Sequence, residues 1–305
     1  MMQRIRTYGY RLITTLCVVW SLNSALLTAQ NYLGVALAGH VPFTVDGLNL
    51  TTPQIGYGGE LGLVYEWHRN HFVLQTGVQY SLLHPMVSVA NQALEQDMID
   101  TRGVRFTYRG SLDNRTDGIF FGQVAVPLYV GGIWNGVYAI AGVKVGYNLH
   151  AQAMQTAQLK TAGDYQGRYY DWFEDMPNHG YHDYLPTKYT HPISISKIDV
   201  RVGVELGYAF ALSSAYGHTL PMMKVGVFAE GGVLDMRNSQ LRNSSTPRTQ
   251  PDYSQYMSVQ MTNIYASQEA AGFAAHLLTC GIRLTFLFPV SGSSSSYYPC
   301  RCLHD

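Results

Sequence analysis

The chain has 305 residues, of which 13% are charged, with a formal net charge of zero at neutral pH. That charge content is about half the ~25% of ordinary soluble domains, and a balanced charge offers nucleic acid no electrostatic footprint. A mean hydropathy of −0.05 excludes a bundle of membrane helices, whereas 30 Gly and 23 Tyr suit a chain of alternating strands.

Arg4, Arg6 and Arg11 precede an apolar run from Leu12 to Trp20, and small residues follow up to Ala29. A charged segment, a hydrophobic segment and a small-residue cleavage site make residues 1–29 a signal peptide, with Gln30 first in the mature chain. The alternative, an uncleaved anchor, is disfavoured by the shortness of the run and by Asn23. Cys17 lies within this segment and lacks the small residues that a lipoprotein site needs before it.

From Tyr32 to His40, Leu33, Val35 and Leu37 alternate with Gly34, Ala36 and Ala38. After a connection over 41–53, which contains Pro42 and Gly47, comes the most informative stretch, Ile55 to Leu83. Successive strand side chains point to opposite faces. Leu61, Leu63, Tyr65 and Trp67 therefore share one face, opposite Gly58, Glu60, Gly62 and Glu66. After His68-Arg69-Asn70, Phe72, Leu74, Val78, Tyr80 and Leu82 oppose Gln75, Gly77, Gln79 and Ser81. A soluble sandwich would bury the apolar row; a membrane barrel turns it toward lipid and the polar row toward the lumen.

Residues 84–118 read as a long connection, within which 103–109 alternates as a strand extension. The fourth strand, Ile119 to Val130, contains Pro127, which predicts a bulge because a closed barrel has no edge to hold a proline. After a turn around Trp134, Val137 to Leu149 forms a fifth strand with Lys144 on its polar face. Residues 150–197 are the longest connection. Ile198 to Phe210 alternates most regularly, setting Val200, Val202, Val204, Leu206, Tyr208 and Phe210 against Asp199, Arg201, Gly203, Glu205 and Gly207. Met222 to Leu234 carries Lys224 and Glu230 inward, 235–272 is polar, and Phe273 to Phe288 places Arg283 inward and Phe286 and Phe288 outward.

The connections 41–53, 84–118, 150–197 and 235–272 are long, and 68–70, 131–136 and 211–221 are short. Strict alternation of this kind is what an up-and-down barrel with short turns on one side of a membrane requires. The expected fold is an all-β, transmembrane, antiparallel barrel of eight strands over residues 30–289. A ten-stranded version, with an extra hairpin from 86–109, is the alternative. Residues 290–305 form a Ser-rich tail containing Cys300 and Cys302, two thiols that alone do not define a metal site.

Three stretches resemble the PorT-like outer-membrane barrel family of Bacteroidetes. They are His71 to Ser81 with its terminal Tyr-Ser, Val124-Ala-Val-Pro-Leu128 followed by Tyr138 to Leu149, and Asp199 to Phe210. Where that family often carries Glu before Ile-Pro, this chain has Ala125, so Glu60, Glu205 or Glu230 would supply the inward carboxylate. The resemblance implies an outer-membrane barrel of a Gram-negative bacterium and a loose link to secretion or gliding machinery.

The expected lumen charge network is Glu60, Glu66, Lys144, Asp199, Arg201, Glu205, Lys224, Glu230 and Arg283. Isolated buried charges are costly, so these should pair, and an eight-stranded barrel has room for side chains and no aqueous channel. The expected aromatic girdle is Tyr65, Trp67, Phe72, Tyr208, Phe210, Phe286 and Phe288. Tyr169, Tyr170, Trp172, His179 and His182 mark a candidate partner-contact loop. His179, His182, Asp183 and His191 lack the helical His-Glu-x-x-His spacing of zinc hydrolases, and Ser81, His84 and Asp97 lack any spacing that supports a nucleophilic set. No metal or cofactor is expected. The leading function is non-enzymatic, with outer-membrane lipid and other envelope proteins as partners, in contact, envelope structure or secretion assembly. A barrel enzyme acting on lipid or surface peptides, and a small-solute channel, are the alternatives.

Overall fold

A row of glycine, amide and charged side chains backed by a row of Val, Leu and Tyr recurs along the chain, and the strands that carry it close on one another. The computed structural model describes residues 30–46, 51–100, 102–165, 172–177, 181–212, 221–237, 249–250, 258–259, 263–264 and 274–290. Residues 1–29, expected to be a signal peptide, and Tyr169, Tyr170, His179, Cys300 and Cys302 lie outside the described residues.

In chain order the strands are β1 (Gln30–Asp46), β2 (Thr51–Arg69), β3 (Phe72–Val89), β4 (Gln92–Ile99), β5 (Arg105–Trp134) and β6 (Val137–Asp164). They continue with β7 (Trp172–Glu174), β8 (Leu185–Pro192), β9 (Ile198–Ala211), β10 (Met222–Gly232), β11 (Thr249–Gln250), β12 (Ser258–Val259) and β13 (Ala275–Pro289). Eight of them form a closed antiparallel ring in the order β1, β2, β3, β5, β6, β9, β10, β13, with β13 paired back to β1. The pairing of Tyr32 with Pro289 and of Asp46 with Ala275 seals the ring along the whole of β1. The ring is up-and-down, as the alternation of long and short connections predicts.

The ten-stranded alternative is excluded by where β4 sits. Gln92 to Ile99 pairs with Leu112 to Arg105 on the part of β5 that rises beyond β3, outside the ring. Three of the expected long connections are themselves largely strand, which corrects the sequence reading. β1 and β2 extend to Asp46 and Thr51. β5 and β6 continue as a hairpin that pairs from Trp134–Val137 to Thr107–Asp164. β8 and β7 line the far edge of β6 above β9. Polar composition had marked these stretches as loop, but a strand with water on its outer face has no need of an apolar row.

The bulge expected at Pro127 is absent. Pro127 stays in register with Lys144 on β6. On its other side the β3 ladder lapses between Thr76–Leu128 and Gln79–Ala125, then resumes in the same register. The Pro127 carbonyl there accepts a hydrogen bond from Thr76 Oγ1 at 2.9 Å. The register shifts on β5 fall instead at Asp113/Thr116 and Gly122/Gln123, the first at Asn114, whose φ is 50°. Asn tolerates that left-handed conformation better than most residues.

The outer surface carries the apolar row. Leu33, Leu37, Leu61, Leu63, Val126, Leu128, Val143, Val202, Val204, Leu206 and Ile282 are all exposed. The inner surface holds the buried polar residues together with two apolar layers. Tyr32, Ala36, Val64 and Leu287 form a cluster inside the short-turn end. At the opposite end Leu83, Val87, Ile119, Phe121, Ala275 and Leu277 meet Ile195, Met236 and Ile264 from the connecting segments. Hydrogen bonds from Ser196 N to Met236 O and from Met236 N to Ala275 O tie these segments into the mouth.

Candidate functional site: the charged lumen

Several inward charges lie beside small residues on the neighbouring strands, which is one use of the frequent glycine here. Arg283 pairs laterally with Gly226 and Ala38, and Glu230 with Gly203. At Gly226 the requirement is steric: a Cβ would lie 2.2 Å from the Tyr138 hydroxyl. Large side chains can therefore cross the lumen over a glycine floor.

All nine charges expected in the lumen are there, and they form two groups. In the larger one, Lys144 Nζ stands 2.9 Å from Glu60 Oε2 and 2.5 Å from Glu230 Oε1. Arg283 is the hub, with Nη2 reaching Glu60 at 3.0 Å and Glu230 at 3.2 Å, and Nη1 donating to Glu205. Its guanidinium also lies 4.3 Å from the centroid of the Phe228 ring, a favourable cation–π geometry. Arg201 donates to Asp199 at 2.6 Å and approaches Glu230 at 3.5 Å. Lys144 and Arg201 are direct cross-strand partners, and the Glu230 carboxylate shared between them offsets their repulsion. The second group is nearer the short turns. There Lys224 Nζ and His68 Nε2 both bond Glu66, at 2.6 Å and 2.7 Å, and Lys224 lies 4.3 Å from the Tyr138 ring centroid.

Sequence reasoning missed the uncharged members. Tyr138 and Tyr129 donate to Glu205 and Glu230 at 2.6 Å and 3.1 Å. Gln123 accepts from Arg201 Nη2 at 2.6 Å and donates to Asn148 and Asp199. Ser81 donates to Glu60 at 3.1 Å. The parity that selected the charges also marks Gln123, Tyr129 and Tyr138 as inward, so the signal was present for every polar residue of that face. Ala125 faces inward and is buried; Glu60 and Glu230 reach Lys144 from other strands and supply the carboxylates it lacks.

The expected girdle residues lie at the short-turn end. Trp67 and Phe72 meet edge to face across the β2–β3 turn at 5.8 Å, and Tyr208 packs on Phe210 at 4.7 Å. Tyr65 donates to Asn31 at 2.8 Å, and Phe286 and Phe288 pair with Val35 and Leu33 on β1. Beyond the opposite end, the β5–β6 hairpin carries an aromatic cluster of Phe106, Tyr108, Tyr165, Phe173 and Tyr181. Phe106 stacks on Tyr165 at 4.8 Å, and burial pushes the Tyr108 hydroxyl up to about 12. Trp172 is half exposed there, under the Arg109 guanidinium at 5.4 Å.

The other combinations do not assemble. Ser81 is in the lumen, His84 packs between Tyr57 and Phe120, and Asp97 accepts from Thr107 on the external hairpin. The His182 carbonyl bonds Thr161 while His191 pairs with Ala153, which sets them roughly 26 Å apart along β6 at ~3.3 Å per residue.

An apolar exterior around a hydrogen-bonded, charge-paired interior, with every ring edge closed, defines a membrane-spanning β-barrel. No known protein-family profile matches the chain, and no curated protein matches it. Among solved structures it is similar to Ail, the attachment invasion locus protein of Yersinia pestis, crystallised with the heparin analogue sucrose octasulfate. That likeness has 9% identity and a TM-score of 0.29, and covers 85% of this chain and 99% of that one. OccK9 (OpdG) of Pseudomonas aeruginosa shows 8% identity over 87% of this chain and 100% of its own, with a TM-score of 0.13. OpdQ of the same organism shows 8% identity over 86% and 98%, with a TM-score of 0.12. The assignment of the fold rests on the strand ring itself.

Proposed function

We propose that the protein is a non-enzymatic barrel of the outer membrane of a Gram-negative bacterium. Its external sheet contacts other envelope or surface proteins, in envelope structure or in the assembly of secretion machinery. The carrying observation is the contrast between the two ends of β5 and β6. Within the ring Lys144 is locked into ion pairs and Gln123, Tyr129 and Tyr138 into hydrogen bonds, and the mouth is filled by the Leu83, Phe121, Ile195, Met236 and Leu277 layer. Beyond the ring the same strands project with Trp172 and Tyr184 exposed beside the buried aromatic cluster. Such partly exposed Trp and Tyr are favoured contact residues. The PorT-like resemblance of strands β3, β5, β6 and β9 is part of this reading and motivates its secretion-assembly branch.

Lipid is the partner implied by the apolar belt. The filled lumen argues against the channel alternative, and the separation of Ser81, His84 and Asp97 removes the support the enzyme alternative had in the sequence. The test is capture of envelope proteins with and without residues 160–184. Leu159 and Leu185 are cross-strand partners, so an Asn-Gly turn can close the shortened hairpin. Loss of specific partners from the shortened protein, with its heat-modifiable gel migration intact, is the expected result. An unchanged set of partners would refute the surface-contact reading.

A further inference from the structure

The external sheet has two flanks that differ in a way the fold does not require. β8 runs along β6 with Pro186 and Pro192 near its ends and Lys188 between them. Proline and lysine blunt a sheet edge against further pairing. β4, Gln92-Ala-Leu-Glu-Gln-Asp-Met-Ile, has neither. It continues the line of β3 along the same edge of β5, since Val89 pairs with Arg115 and Gln92 with Leu112. β2, which flanks β3, stops at Thr51 opposite Val89. The outer edge of β4 therefore begins where β2 ends and pairs with no strand among the described residues. Every second residue of such an edge directs its N–H and C=O outward, a template for strand addition.

From this edge we infer that β4 is a strand-addition site for an extended, lysine- or arginine-bearing segment of a partner protein. The proposal rests on the surface-contact reading above and names the contact and its chemistry. Ala93, Glu95, Asp97 and Ile99 share one face of β4. On the occupied side, β5 answers Glu95 with Arg109, Nε to Oε1 at 3.6 Å, and sets Thr107 against Asp97. On the open side nothing among the described residues answers either carboxylate. An incoming strand that places cations opposite them gains cross-strand pairs, and one that places acids there is repelled.

The same rule argues against antiparallel pairing with a second copy of this chain. Pairing two β4 edges antiparallel keeps each face on its own side, so residues of like parity stand opposite. The registers of fullest overlap then set Glu95 against Glu95 or against Asp97, and like charges directly opposite are destabilising.

The experiment uses the full barrel in phosphatidylcholine nanodiscs, which carry no net lipid charge to attract a basic probe. The probes are labelled ten-residue peptides alternating lysine with valine, or glutamate with valine. Two further lysine peptides are N-methylated at every second amide, one in each phase. The lysine peptide is expected to bind at least tenfold more tightly than the glutamate peptide. Methylation in one phase should abolish binding and in the other preserve it, because only alternate amides face β4. Glu95→Lys with Asp97→Lys should reverse the charge preference while gel mobility stays that of the folded barrel. The proposal is overturned by absence of binding, by equal binding of both methylated peptides, or by a preference for lysine that survives the double charge reversal. It is also overturned if an Ala93→Cys variant crosslinks mainly to itself. Loss of envelope partners on removing 160–184, with partners retained after the charge reversal, would sink the β4 site and leave the surface-contact reading standing.

Discussion

Replacing Arg283 by methionine removes the one side chain among the described residues that pairs with Glu60, Glu205 and Glu230 together. The three carboxylates do not suffer equally. Glu60 retains Lys144 and Ser81, and Glu230 retains Lys144, Arg201 and Tyr129. Glu205 keeps only the Tyr138 hydroxyl, so it becomes a buried carboxylate with no cation among the described residues. Removing one member of a buried ion pair costs about 3–5 kcal/mol, most of it the penalty of the charge left behind. At ~1.4 kcal/mol per decade, that is roughly a 140- to 3,700-fold loss in the folded-to-unfolded ratio. Reversible urea unfolding from lipid vesicles, followed by tryptophan fluorescence, measures it. The double variant Arg283→Met with Glu205→Gln should recover most of the loss, because glutamine can keep the Tyr138 hydrogen bond and carries no charge. A single-variant cost under about 1 kcal/mol, or a double variant as unstable as the sum of its parts, would refute the stranded-charge reasoning.

Two further outcomes follow from the outer face and from the mouth. Val204→Arg, on the exposed apolar row of β9, should destabilise the barrel in a bilayer by about 2–4 kcal/mol. The same substitution at Thr190, exposed on the external β8, should stay within about 0.5 kcal/mol; equal effects in unheated gels would contradict the lipid assignment. Asp235 sits above β10, where burial raises its pKa and hydrogen bonds from Ala275 N, Arg237 N and the Arg237 side chain outweigh that, leaving it below 3.8. A depressed carboxylate stabilises above its unfolded value and loses that contribution as pH falls through its folded one. Hydrogen exchange at the Ala275 amide should therefore accelerate as pH drops below about 4 relative to other mouth amides, an effect that Asp235→Asn should erase.

The alternation of side chains was sufficient to find all eight ring strands and the nine charges of the lumen network, but not the buried Arg115–Asp117 pair on β5, which lies in a stretch read as a connection. Period two is a local property, so Glu205 or Lys144 is marked as inward by its own neighbours alone. The upper halves of β5 and β6 were not legible in this way. Their outer faces meet water, and the apolar row that announces a strand is missing from 150–164. Pro127 was misread for a related reason: the bulge rule counts its missing N–H, whereas the register with Lys144 and the Thr76 hydrogen bond show how the ladder absorbs it.

Periodicity in this sequence determined a closed barrel with a greasy outside and a charged inside, because each strand must satisfy its backbone and its two faces whatever its neighbours are. Partnership was decided only in three dimensions. That Arg283 joins Glu60 and Glu205, residues far apart in the chain, depends on the strand order around the ring and the stagger between strands. The closure of the mouth by Ile195, Met236 and Ile264, and the open edge of β4 beside the end of β2, depend on where each strand stops. Side-chain alternation carries no record of either.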